Sequence, residues 1–206
     1  MNLFAVSGNA ERSGRRCRCI LAALCVAALA AQTAYAGGEE KMPGPRFATF
    51  LARMLTYDSN LKKRAGGKLS IAVLYDGKSP ASTTQGTELA TALKNLELAR
   101  ILDLPVETLA IAVTEAAELE KAAQSQGLDA FVVCDGLEKQ NAWIRKVSEK
   151  GKILTVGTSS TQVRAGISIA VYLENGKSKI LVNLPASRNE GVAFGGELLG
   201  LAEVIQ

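Results

Sequence analysis

Histidine is absent from the 206-residue chain, and that absence removes more chemistry than any single residue supplies. Without an imidazole there is no serine-histidine or cysteine-histidine nucleophile pair, and most zinc sites are excluded. Cysteine is nearly as scarce: of the four, Cys17, Cys19 and Cys25 lie near the amino terminus, and Cys134 stands alone. A thiol at the end of an apolar run reads as buried and inert. Aromatic residues make up 5% of the chain, and Trp143 is its one tryptophan. No phosphate-binding P-loop occurs, and no GxGxxG follows a strand-like run. We therefore expect a non-enzymatic protein with no catalytic residues, no metal site and no cofactor.

The amino terminus reads as a cleaved secretory signal covering residues 1–36. Arg12, Arg15, Arg16 and Arg18 precede an apolar segment from Ile20 to Ala31, and Ala34-Tyr35-Ala36 has the small-x-small pattern of a cleavage site. About a dozen apolar residues are too few to span a bilayer. Removing the segment takes four of 24 Lys+Arg and one of 20 Asp+Glu, which leaves 20 against 19 and a net charge of +1. The whole-chain charge of +4 thus overstates the balance, and no nucleic-acid partner is indicated. The mature chain would keep only Cys134, so no internal disulfide is available to it. Export predicts a periplasmic location.

What remains is rich in alternating patterns. Gly37–Pro45 reads as a flexible lead-in (residues 37–45), and residues 46–206 as a single domain. Phe47, Phe50, Leu51, Met54 and Leu55 recur at helical spacing. A basic connection over Leu61–Gly67 leads to a strand over Leu69–Tyr75. The Ser/Thr/Pro-rich run from Lys78 to Gln85 reads as a loop. A helix is predicted over Thr87–Leu102, with Leu89, Ala92, Leu93, Leu96 and Ala99 inward. Glu107–Val113 is a second strand. Thr114 is a fair helix cap, and Gly127 suits that helix's end. Ala130–Val133 is a third strand, and Asp135 to Glu138 has the spacing of a capping box for a helix ending near Gly151. Ile153–Val156 is the fourth strand.

The strongest fold signal follows. Asn175-Gly176 is the pair favoured by a type I′ turn, because both central positions need positive φ. With Glu174 facing Lys177, Val171 meets Ile180, Ile169 meets Val182 and Ile167 meets Leu184 on one apolar face. Tyr172 with Lys179, Ala170 with Leu181 and Ser168 with Asn183 form a mixed face expected to be less covered. Pro185–Gly191 reads as a turn-like connector, and Leu198, Leu201, Ala202 and Ile205 as one face of a closing helix. Strands alternating with helices predict a three-layer, Rossmann-like α/β sandwich: a mostly parallel sheet, a carboxyl-terminal antiparallel hairpin and a terminal helix.

Ligands in such sheets collect beyond the carboxyl ends of the parallel strands. That rule selects Asp76 and the Ser79–Thr84 run, Asp135, and the hydroxyl run Thr158, Ser159, Ser160 and Thr161. The hydroxyl run has two readings, a helix cap or a small-anion site. Asp76 suits a turn and Asp135 a cap, and no companion motif makes them an acid/base pair. Trp143 falls off the Leu137, Ile144, Val147 stripe, and it is either a rim anchor for a partner protein or an ordinary half-buried side chain.

The segments ILTVGT, VRAGISIAVYLENGKSKILVNLPAS and EGVAFGGELLGLAEVI carry a resemblance, with the earlier FATFLARMLTYD in compatible order. They resemble the YfiR family of bacterial periplasmic proteins, at Asn183, Leu184, Leu198, Leu199, Leu201, Ala202 and Val204. The resemblance implies a regulator that binds the periplasmic domain of an inner-membrane diguanylate cyclase and keeps cyclic di-GMP and biofilm output low. Redox sensing through cysteine pairs, which some family members use, does not fit a chain with one mature cysteine. The alternative function is a periplasmic solute-binding protein for phosphate or a carboxylate at Thr158–Thr161. Oligomeric state stays open, with a homodimer among the options.

Overall fold

Alternation along the strands decides where the core lies, because successive side chains point to opposite faces of a sheet. Strand β2 (Leu69–Tyr75) sends Leu69, Ile71 and Val73 to one face and Ala72 and Leu74 to the other. Strand β4 (Ala130–Val133) repeats this, with Ala130 and Val132 against Phe131 and Val133. All of these side chains are buried, as expected of strands covered by helices on both faces. The computed structural model describes residues 38–95 and 100–206. The expected signal at residues 1–36, and Leu96 and Ala99, lie outside the described residues.

The remaining strands are β1 (Glu39–Glu40), β3 (Val106–Ala112), β5 (Leu154–Gly157), β6 (Ile169–Glu174), β7 (Lys177–Asn183) and β8 (Glu203–Ile205). They form one sheet in the order β3-β2-β4-β5-β6-β7-β8, with β1 beside β6. Strands β3, β2, β4, β5 and β6 run parallel to their neighbours, and β6-β7 is antiparallel. The first face is covered by α1 (Gly44–Thr56) and α3 (Pro80–Lys94), through Phe47, Leu51, Leu55, Leu89 and Leu93. The second is covered by α4 (Ala116–Gln126) and α5 (Asn141–Gly151), through Leu119, Ala123, Ile144 and Val147. This is the three-layer α/β sandwich read from the pattern. Short helices α2 (Leu61–Ala65), α6 (Ser160–Arg164), α7 (Leu184–Asn189) and α8 (Gly196–Leu201) close the connections.

The hairpin has the expected register, with Glu174 on Lys177, Val171 on Ile180 and Ile169 on Val182. Asn175 and Gly176 take φ of 52° and 71°, the pair of positive values the turn demands. The ladder stops at Ile169 and Val182, so Ile167 and Leu184 do not pair as strand residues. Ile167 turns instead to the α4/α5 side. The mixed face is better covered than expected, because Ala170, Tyr172 and Leu181 are buried with Val163 of α6.

Other boundaries differ from the sequence reading, each for a local reason. Helix α3 begins at Pro80, seven residues before the expected Thr87, since Pro suits the first helical position and the Ser79 hydroxyl accepts from Ser82 N at 3.3 Å. Its first turns bury Ser82 and expose Thr84 and Thr87, whose hydroxyls donate to carbonyls four residues back, both at 2.9 Å. It cannot run to Leu102, which sits with Asp103 in a left-handed turn at φ 50° and 68°. Basic Leu61–Ala65 is helical, and the connector after Asn183 is helix α7, capped by the Asn183 side chain on Ala186 N at 3.0 Å. Helix α5 starts at Asn141 and not at Asp135, because Gly136 takes φ 90° and Leu137 turns into the core. The cap of α4 is Glu115, one residue beyond Thr114.

The closing helix ends at Leu201. Glu203–Ile205 then pairs parallel with Leu181–Asn183 of β7, so β-branched Val204 and Ile205 extend the sheet. Residues of the expected lead-in are also structured, with Glu39 and Glu40 opposite Glu174 and Leu173 of β6.

A buried ion pair secures the amino end of the sheet. Asp58, 1% exposed, accepts from Arg64 Nη2 at 2.7 Å and from the amides of Asn60 and Ala193, both at 3.0 Å. Arg64 Nη1 also donates to the carbonyls of Asp129 at 3.1 Å and Lys152 at 3.0 Å, just ahead of β4 and β5. A test of the packing lies in the hairpin. Val182 is fully buried and Lys179 is exposed. Val182→Asp is expected to lose roughly 3 kcal/mol or more and most soluble protein, whereas Lys179→Glu should move the urea midpoint by less than about 1 kcal/mol equivalent.

Candidate functional site

The order of strands places β2 between β3 and β4, and the chain reverses direction across the sheet there. In open parallel sheets this switch point, at the carboxyl ends, is where ligands bind. Here it lies beside Asp76 after β2 and Cys134-Asp135 after β4.

The residues that meet there satisfy one another. Ser82, 2% exposed, donates its hydroxyl to Asp135 O at 2.6 Å and accepts Asp76 N at 3.0 Å. Asp76 Oδ1 accepts Lys78 N at 2.9 Å, which makes it the turn residue its place suggested. Asp135 Oδ1 accepts the Thr158 hydroxyl at 2.8 Å, and its Oδ2 lies 3.3 Å from Lys41 Nζ. The two aspartates thus share Ser82 through backbone groups, while their carboxylates engage different partners.

The hydroxyl run is similarly occupied. Ser159 caps α6, its side chain accepting Gln162 N at 3.4 Å. Thr158 N donates to Gln162 Oε1 at 2.7 Å. Ser160 N donates to the Glu39 carboxylate, 3.0 Å from Oε2. Thr161 is exposed. The backbone donor at Ser160 that an incoming anion would use therefore holds a carboxylate of this same chain. Gln162 was not singled out by its sequence context, yet it is 4% exposed and clamps two strand ends. Its Nε2 donates to Val133 O and Cys134 O, both at 3.1 Å. Gly157 makes room for it, since a Cβ there would lie 2.6 Å from Gln162 Oε1. Gln85 adds a third contact, accepting Asp135 N at 2.9 Å.

A cavity of about 340 Å³ lies beneath the strap formed by Glu39–Met42, lined by Lys41, Met42, Phe47, Gln85, Glu88 and Thr158. A larger groove of about 610 Å³ opens at the opposite, amino end of the strands, with Arg64, Lys68, Lys150 and Lys152 on its walls. Lys150 and Lys152 stand at the end of α5, where cations complement the helix dipole. Trp143 is half-buried and packs on the core cluster under α4 and α5.

Two buried acids and the thiol carry shifted pKa values. Burial raises the Asp129 carboxyl above its ordinary 3.8, opposed by the Ser70 amide and the charges of Arg64 and Lys68. Burial likewise raises Glu190 above 4.5, opposed by donors from Ser168, Thr155 and Ser148. Glu190 accepts the Ser148 hydroxyl at 2.8 Å, Thr155 N at 2.8 Å, Thr155 Oγ1 at 2.7 Å and the Ser168 hydroxyl. The Cys134 thiol, fully buried, is pushed up to about 12 by burial first and the Asp135 charge second.

A protein-family model described as YfiR/HmsC-like matches residues 48–203. No curated protein matches the chain. Among solved structures, a conserved domain protein from Vibrio cholerae aligns with TM-score 0.57 and 12% identity, over 80% of this chain and 60% of that one. An ABC domain from Streptococcus pneumoniae, solved in complex with L-Trp, aligns with TM-score 0.50 and 16% identity, over 74% of this chain and 60% of that one. The chain thus spans less than two thirds of either structure, and at these identities the likeness is one of fold.

Two measurements test the site chemistry. A folded-state carboxyl pKa above the unfolded value means that stability is full below 4.5 and is lost as pH rises through the folded value. Urea unfolding across that range is expected to show wild type losing ground to Glu190→Gln as pH increases. A gap moving the other way would show the carboxyl held ionised by its donors. Cys134 is expected to resist thiol reagents at neutral pH in the native protein and to react at once in denaturant, because so little thiolate is present at that pKa.

Proposed function

Because the chain belongs to the YfiR/HmsC-like family, we propose that it is a non-enzymatic periplasmic regulator that works by contact with another protein. The partner in this reading is the periplasmic sensor domain of an inner-membrane diguanylate cyclase, which the protein restrains so that cyclic di-GMP stays low. The observation that carries the reading is the span of the family match, which takes in both core layers and the hairpin and reaches the first residue of the carboxyl-terminal strand.

The local chemistry supports it. The polar groups at the carboxyl ends of β2, β4 and β5 are engaged by one another and by Glu39 and Lys41, which favours a scaffold that offers surface. The first surface to test is apolar and lies away from those strand ends. Leu201 is 71% exposed and shares a shallow depression with Phe50, Tyr57 and Ile180. Leu201 thus caps an apolar patch completed by the partly buried Phe50, Tyr57 and Ile180, and contiguous exposed apolar surface is a mark of contact sites. Trp143, on the α5 side, is the second position to test.

Tagged mature protein, crosslinked in cells and purified from membranes, is expected to recover an inner-membrane protein with a cyclase domain. Leu201→Glu should reduce that recovery at least about tenfold, as the loss of an interface anchor does, with an unchanged melting temperature. Deleting the gene should raise cellular cyclic di-GMP. Unchanged cyclic di-GMP together with no recovered cyclase would overturn the reading.

A further inference from the structure

One edge of the sheet is long, regular and unguarded. Strand β3 pairs with β2 without a bulge from Leu69 opposite Val106 to Tyr75 opposite Ala112, and no described residue pairs with its other side. Leu69 N donates to Pro105 O at 2.9 Å, and Val113 N donates to Tyr75 O at 2.8 Å. Backbone groups of alternate residues in a parallel strand point the same way. Pro105, Glu107, Leu109, Ile111 and Val113 therefore turn theirs toward β2, and Val106, Thr108, Ala110 and Ala112 turn their N–H and C=O groups outward. Natural edges are usually protected by lysine, proline, bulges or shortness. The opposite edge has such protection, with exposed Lys177 and Lys179 on β7 and the short β8 beyond. Strand β3 has none of it. Its one charge is Glu107, which is paired with Lys68.

We propose that β3 pairs with β3 of a second copy of this chain, antiparallel about a two-fold axis at Leu109, so that two sheets become one. The register follows from the outward groups. Val106 exchanges hydrogen bonds with Ala112 of the second copy, and Thr108 with Ala110, so every outward amide and carbonyl of the strand finds a partner. Glu107 falls opposite Ile111 of the second copy, and no charge meets its own kind. Leu109 meets Leu109 at the axis. It already packs on the α4/α5 core cluster with Ile111 and Trp143, so the apolar layer continues across the junction. An isologous contact of this kind closes at two copies, because each edge is consumed by the other. The proposal goes beyond the cyclase reading and is tested on purified protein alone.

The axis supplies the experiment. Residues facing each other at a non-hydrogen-bonded antiparallel position have Cα atoms about 4.5 Å apart, within disulfide reach. Oxidised Leu109→Cys is expected to run as a covalent dimer on a non-reducing gel. Glu107→Cys and Ile111→Cys, each far from its own copy, should stay monomeric. In protein made from residue 37 onward, the one native cysteine, Cys134, is fully buried and adds no background. In sedimentation, wild type should dimerise with concentration, and Ala110→Pro should shift to monomer with an unchanged far-ultraviolet spectrum. That proline removes an outward N–H and leaves the β2 ladder intact. A wild type that stays monomeric throughout, equal crosslinking at Glu107→Cys or Ile111→Cys, or a dimer persisting in Ala110→Pro would each overturn the proposal.

Discussion

A carboxyl group with almost no access to water organises the centre of this fold. Glu190 is 1% exposed, and it draws donors from α5 through Ser148, from β5 through Thr155 and from the entry to β6 through Ser168. Removing a buried acceptor of this kind leaves several donors unpaired, each at a cost of about 1–3 kcal/mol. The geometry of the junction between the parallel layer and the hairpin therefore depends on it. The Asp58-Arg64 pair performs a related task one layer away, joining the α1-α2 turn to the starts of β4 and β5 and to Ala193. Buried ion pairs contribute little net stability but are costly to break, so they fix arrangement more than they add strength.

The two ends of the sheet thus differ in character. At the amino end, charges are buried and tied to main-chain groups. At the carboxyl end, where open parallel sheets form a crevice, Gln162, Gln85, the Asp135-Lys41 pair and a strap from the amino-terminal side fill it. Gln162 and Gln85 bind main-chain groups at the ends of β4 and β5, and Glu39 and Lys41 reach over them. What the molecule presents outward is then mostly its helices, its edge strands and the apolar depression near Leu201. The chain's membership in the YfiR/HmsC-like family covers this same architecture, from α1 to the start of β8.

Much of this was legible in the residues, and the reasons for success and failure are physical. The hairpin register could be read because Asn175-Gly176 and strict two-residue alternation admit one solution. The layer architecture followed from apolar strands separated by helical stripes. The start of α3 was missed because hydroxyl-rich residues look like a loop, yet on the exposed side of the helix Thr84 and Thr87 bond to carbonyls four residues back. The end of α8 was missed because Leu198 and Ile205 fit a helical stripe, whereas Ile205 completes a strand beside Asn183. The rule for strand ends put Asp76 and the Thr158 to Thr161 run just beyond β2 and β5, which is where they lie. Gln162, Gln85 and Glu190 were not found, since nothing in local spacing announces a polar side chain whose partners are distant in the chain.

The isolation of Cys134 has a practical side. With its sulfur sealed between sheet and helices, the folded domain has no reactive thiol among its described residues. A cysteine placed on its exterior becomes the one accessible thiol among the described residues, a handle for a fluorophore or spin label. Distances between chosen points could then be followed in the native protein without first engineering the background away.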